Sequence, residues 1–98
     1  MKRVIVRPAA AADIEEAYAW YESQRPGLGE EFLAALQETR EHIVAHPEAF
    51  AIVHRDTRRA LVQSRFPYVL FYRIYGDNIV VVACMHAKRD PRHWQSRS

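Results

Sequence analysis

The sequence is poor in the residues that staple or punctuate small proteins, with one cysteine and three glycines among 98 residues. A lone thiol, Cys84, can close no internal disulfide and has no cysteine partner for a zinc site, which fits a reducing, cytoplasmic setting. Gly27, Gly29 and Gly76 build no phosphate-binding loop, since none precedes a Gly-Lys-Ser/Thr, so no cofactor is expected. Long apolar runs are also missing. The longest, Ile79 to Met85, has the length of a strand and falls well short of the roughly 18 residues of a membrane span. The opening Met1-Lys2-Arg3-Val4-Ile5-Val6-Arg7 has no apolar core and is charged again at position 7, so it is not read as a secretory signal.

What is present points to a folded chain. A hydrophobic content of 49% with 11% aromatics excludes disorder. The length suits one domain over residues 1–98, able to bury roughly 60–70% of its unfolded surface. Charge is unevenly placed. Residues 1–50 carry 5 Lys+Arg against 9 Asp+Glu, and residues 51–98 carry 9 against 3, so halves of −4 and +6 make up the net +2. An acidic or polyanionic partner would be drawn to the second half.

Val4 to Val6, β-branched and bounded by charges and Pro8, predict a short first strand. Ile14, Ala17, Tyr18 and Tyr21 then recur at helical spacing and predict a helix over about 9–23, with Asp13, Glu15 and Glu16 in its early turns and Arg25-Pro26-Gly27 as its stop. A second helix from about Gly29 buries Leu28, Phe32, Ala35, Leu36, Thr39 and Ile43 and ends at His46-Pro47. So short a connection makes the two an antiparallel hairpin. Beyond Pro47 the period changes to that of strands, at Ala60-Leu61-Val62, Tyr68 to Tyr75 and Ile79 to Met85, the last two joined by a turn at Gly76-Asp77-Asn78. The order is β-α-α-β-β-β, an α+β fold with an antiparallel sheet packed against an N-terminal helical hairpin. The last two strands alternate so little that both faces should be covered, one by the hairpin and the other by the tail or a partner. In that tail, Asp90-Pro91 reads as the start of a short helix.

Candidate chemistry is sparse. His42 and His46 are spaced i, i+4 but lack the glutamate of a metalloprotease helix, and a polar helix terminus explains them, so no metal site is assigned. Cys84 lies within an apolar strand and reads as a core residue rather than a nucleophile. Cations gather near the strand ends: Arg58 and Arg59, Arg65, Arg73, then His86, Lys88 and Arg89, with Trp94 in the tail. Adjacent antiparallel strands can bring these together as a surface for a phosphodiester, a stacked base or an acidic protein segment.

Pro8 and Asp13-Ile14-Glu15 opening the first helix, Arg25-Pro26-Gly27-Leu28-Gly29 between the helices, Arg65-Phe66-Pro67-Tyr68 leading into Phe71-Tyr72-Arg73, and His86-Ala87-Lys88-Arg89-Asp90-Pro91 followed by Trp94 together resemble the RelE/ParE superfamily of toxins from type II toxin–antitoxin systems. The resemblance spans roughly residues 3–95, and its fold matches the order read from periodicity. RelE-like members are ribosome-dependent mRNA endoribonucleases, whereas ParE-like members poison DNA gyrase without catalysis. The stretch from His86 to Trp94 looks like the ParE, plasmid-stabilisation branch. Trp94 has no ionisable proton, and Arg58 and Arg59 stay charged and cannot act as bases. The resemblance therefore implies a gyrase inhibitor rather than an enzyme, with no catalytic residues and with Arg65, Arg73, His86, Lys88, Arg89 and Trp94 contacting the target. The RelE-like nuclease, with Arg65 on a phosphate and His86 or His93 moving protons, is the alternative. A ParD-like antitoxin with a ribbon-helix-helix half is the implied partner in a hetero-oligomer, and operator DNA would be bound only through it.

Overall fold

The computed structural model describes residues 2–62 and 65–97. Strand β1 (Arg3–Val6) leads into helices α1 (Pro8–Gln24) and α2 (Leu28–Ala45). Strands β2 (Ile52–His54), β3 (Thr57–Leu61), β4 (Tyr68–Tyr75) and β5 (Asn78–His86) follow, and helix α3 (Arg92–Gln95) closes the chain. The sheet order is β1-β5-β4-β3-β2.

The expected helical hairpin and the antiparallel run of β3, β4 and β5 are present. The sheet as a whole is mixed, because β1 pairs in parallel with β5, from Arg3 opposite Asn78 to Val6 opposite Val81. Sequence periodicity gives no sign of β2. It is a three-residue edge strand with Ile52 and Val53 both exposed, so it lacks the one-sided burial that marks a strand in sequence. Helix α1 begins at Pro8, a residue suited to the first helical position because its missing N–H would have no partner there. That start leaves no acid in the first turn. Asp13 therefore does not serve the helix dipole as expected, and its carboxylate reaches the sheet instead.

The turn between the helices depends on Gly27, at φ 89°, and on Glu22, whose carboxylate accepts the N–H groups of Gly27 at 3.0 Å and Gly29 at 2.9 Å. A Cβ on Gly29 would stand 2.8 Å from the Tyr18 ring, so the bare Cα of Gly29 makes room for the α1 side chains that pack against the start of α2. Gly76, at φ 59°, sits in the tight turn between the paired residues Tyr75 and Asn78.

Two clusters share the sheet. On the hairpin side, Phe32, Ile43, Leu70, Tyr72, Ile79 and Val81 pack with Tyr21 and Phe66. On the other side, Val69, Phe71, Val82, Ala83 and Met85 pack with Trp94 of α3, so the tail covers the second face as the weak alternation predicts. The register between β4 and β5 skips Val82: Phe71 faces Ala83 while Tyr72 faces Val81. This bulge turns two successive residues, Val82 and Ala83, toward Trp94.

Burial pushes the Cys84 thiol up to about 12, with Asp13 adding to the effect, and pushes the Tyr72 phenol up to about 12 against the opposing charge of Arg58. Both groups keep their protons in the folded state while the unfolded chain loses them from about pH 9 for a thiol and pH 10 for a phenol. Their contribution is therefore complete below those values and disappears as pH rises toward 12. Urea unfolding should show stability falling by about 1.4 kcal/mol per pH unit above pH 9 for Cys84 and by as much again above pH 10 for Tyr72, and Cys84→Ala should remove the first of these slopes. An unchanged slope in Cys84→Ala would contradict the assignment.

Candidate functional site

Four of the six expected contact residues gather at one end of the sheet, where the loop entering β4 meets the end of β5. Tyr68 pairs with His86, and the Ala87 N–H donates to the Pro67 carbonyl at 2.7 Å, so the loops carrying Arg65 and Arg89 leave the sheet side by side. The Arg65 guanidinium pairs with Glu31, which also accepts from Arg25 at 2.9 Å, and lies 5.3 Å from the centre of the Phe66 ring. Arg65 thus ties the sheet end to the first turn of α2. His86 Nδ1 accepts the Lys88 N–H at 3.1 Å, and its ring stands edge-on to Tyr68 at 5.5 Å. Lys88 and Arg89 are exposed.

The other two residues lie elsewhere. Arg73 is opposite Val80, five residues along β4 from Tyr68 or about 17 Å at strand rise. It donates to Asp56 at 3.3 Å and lies 5.4 Å from the centre of the Tyr75 ring. Trp94 is buried, stacked on Phe71 at 4.2 Å and 15°. A charged neighbourhood in sequence suggests an exposed indole; the fold places it inside because α3 turns back over the β4–β5 face. Asp90 sets that return: its carboxylate accepts the Arg92 N–H at 3.0 Å and is forked by the Arg92 side chain, which holds its carboxyl below the usual range.

The sequence gives no notice of the cleft beside this cluster. About 480 Å³ lies between α1 and the end of β5, walled by Glu16, Trp20, Tyr68, Cys84, His86 and Arg89 among others. Trp20 is 56% exposed, off the buried face of α1 that Ala10, Ala17 and Tyr21 define. That displacement in helical phase is the signal that could have found it. Burial pushes the phenols of Tyr21 and Tyr68 up, so both remain protonated and uncharged at neutral pH. Across the hairpin, a separate apolar groove of about 250 Å³ runs between the helices and β1, lined by Val4, Val6, Ile14, Leu33, Leu36 and Val81 among others.

Beside the cleft, β5 continues past the end of β1. The last bond toward β1 is donated by the Arg7 N–H to Val81 at 3.1 Å. Beyond it, Asp13 Oδ2 accepts the Cys84 N–H at 3.0 Å, and Arg97 Nη1 donates to the Val82 carbonyl at 3.3 Å. The two side chains pair with each other at 2.6 and 3.2 Å, mostly buried, and Arg7 donates to the Arg97 carbonyl at 3.3 Å. They stand where the next residues of a neighbouring strand would bond. His42 and His46 end α2, the His46 N–H donating to His42 O at 3.0 Å, and no group of three or more metal-binding side chains occurs among the described residues.

Two outcomes follow for stability. Asp13→Ala should cost about 1–3 kcal/mol by leaving the Cys84 N–H and Arg97 unsatisfied, and adding Arg97→Ala should cost less than the two single changes summed; strict additivity in thermal unfolding would refute the coupling. Trp94→Ala should cost about 3 kcal/mol by opening a cavity against Phe71, whereas a surface indole would cost almost nothing on the same measurement.

The model of the family described as ParE toxin of type II toxin-antitoxin system, parDE, matches residues 4–91. No curated protein matches. Among solved structures, the chain is similar to one described as the chromosomal ParDE TA system from P. aeruginosa, at 25% identity and a TM-score of 0.63, with 88% of this chain and 96% of that one covered. The match across nearly the whole β-α-α-β-β-β-β order shows that this chain belongs to the ParE toxin family of type II toxin–antitoxin systems.

Proposed function

We propose that this chain is a toxin that acts by binding DNA gyrase in the cytoplasm and is neutralised by a ParD-like antitoxin with a ribbon-helix-helix half. The observation that carries the non-catalytic reading is the burial of Trp94 against Phe71. Strand cleavage of RNA needs a base for the ribose 2′-hydroxyl and an acid for the leaving oxygen. Here the tail aromatic has no transferable proton, Arg65 is held by Glu31, the tyrosines beside the cleft keep their protons and do not supply a base, and His86 Nδ1 is occupied by the Lys88 N–H. What this end of the sheet offers is recognition: exposed cations, an exposed tryptophan and a strand end with no neighbouring strand on one side.

The antitoxin fits the other side. The groove lined by Val6, Leu33 and Leu36 is mostly apolar, and Val6 is 37% exposed. An amphipathic antitoxin segment would bury these positions, which the chain alone leaves open. Promoter DNA is then contacted through the antitoxin.

Purified toxin, freed from its antitoxin, should inhibit gyrase supercoiling and leave mRNA on translating ribosomes intact. Cut mRNA with unaffected supercoiling would replace this reading with the RelE-like nuclease.

A further inference from the structure

Strand β5 runs to His86, but its parallel neighbour β1 ends at Val6 opposite Val81, and no strand continues on that side among the described residues. A strand edge offers N–H and C=O groups at the spacing of another extended chain. The 480 Å³ cleft lies along this stretch of β5. Its outer wall holds Trp20, 56% exposed, and the exposed His86 and Arg89 stand at its end with Lys88 close by in sequence. At its start the edge is held by side chains alone, Asp13 on the Cys84 N–H and Arg97 on the Val82 carbonyl.

We infer that this cleft receives an extended, acidic segment of the gyrase protein, which adds to the edge of β5 past the Cys84 N–H that Asp13 already holds, sets an apolar side chain against Trp20 and places a carboxylate beside Arg89 and His86. This rests on the gyrase reading above and names the site that performs it. Three observations select the occupant. The strand edge matches a peptide backbone rather than a phosphodiester. Glu16 on the α1 wall repels any anionic chain, but a peptide can confine its carboxylates to the mouth beside His86 and Arg89, whereas a nucleic-acid strand carries a charge at every phosphate along the wall. The exposed tryptophan is the kind of residue that dominates a protein interface once desolvated. The apolar groove for the antitoxin lies on the far side of α1, lined by different residues, so the two surfaces are separable by mutation.

The test compares the full chain with Trp20→Ala, Trp20→Phe and Arg89→Glu. Each variant is co-purified with the antitoxin to establish folding, then freed and titrated against gyrase supercoiling. Trp20→Ala and Arg89→Glu should each require roughly tenfold or more protein for half inhibition while keeping antitoxin binding and thermal stability, with Trp20→Phe in between. Wild-type inhibition that persists unchanged in both variants overturns the site and leaves the gyrase reading intact. A wild-type chain that does not touch supercoiling overturns the gyrase reading and this inference with it. Should Arg89→Glu instead lower affinity for bare DNA in parallel with inhibition, with Trp20→Ala unaffected, the occupant is nucleic acid and the inference fails.

Discussion

Strand β5 is the element on which the remaining architecture depends, because it must bury apolar side chains on both of its faces. Ile79 and Val81 point into the hairpin cluster and Val80, Val82, Ala83 and Met85 into the opposite one. An uninterrupted apolar run of this kind is stable only when each face has a cover. Helices α1 and α2 supply the first. The second comes from a four-residue helix whose Trp94 stacks on Phe71, so a segment that looks like a dispensable tail closes half of the core. The bulge at Val82 serves the same requirement, turning one more side chain toward the indole than regular alternation would allow.

The length of β1 follows from Pro8. Proline starts α1 and has no N–H to continue a ladder, so β1 stops after four residues and its last neighbour donates to Val81. Strand β5 then carries polar backbone groups past the point where a partner strand exists. Left buried and unpaired, each would cost about 1–3 kcal/mol. Asp13 from α1 and Arg97 from the tail take them up instead, and Arg7 holds the tail by its carbonyl. One residue with a fixed φ thus determines where the sheet edge opens and what must be recruited to satisfy it.

How much of this was legible in the sequence tracks how local each feature is. The two helices, β4, β5 and their turn follow from short-range periodicity and from Gly27 and Gly76, and all are where the spacing puts them. The parallel pairing of β1 with β5 joins residues more than seventy positions apart, and no pattern within either strand encodes it. Strand β2 escaped because both its apolar residues face solvent. At the candidate site, the convergence of Arg65, His86, Lys88 and Arg89 was readable because the ends of neighbouring antiparallel strands meet. Arg73 belongs to the same strand but to its other end, and a count of cations cannot convey that separation. Trp94 and Trp20 exchange the roles their surroundings suggest: the one amid charges is buried, and the one in an apolar helix is exposed. Helical phase along α1 accounts for Trp20, and the return of α3 over the sheet accounts for Trp94.

Helix α1 acts as a partition. Ile14 faces the apolar groove shared with β1, whereas Glu16 and Trp20 face the cleft at the end of β5. On the proposed assignment, an antitoxin segment confined to the apolar groove would leave the target cleft open, and binding alone would not neutralise. Ile14 and Trp20 are six residues apart, about 9 Å along the helix axis and roughly 120° around it, a path of about 14 Å over the helix surface that about four or five residues of extended chain can span. Neutralisation by occlusion therefore requires the antitoxin to continue past its apolar anchor and across α1. The acidic outer surface of the hairpin, with Glu15 and Glu16, disfavours an acidic crossing segment there. The part of an antitoxin that crosses α1 is thus expected to be neutral or basic.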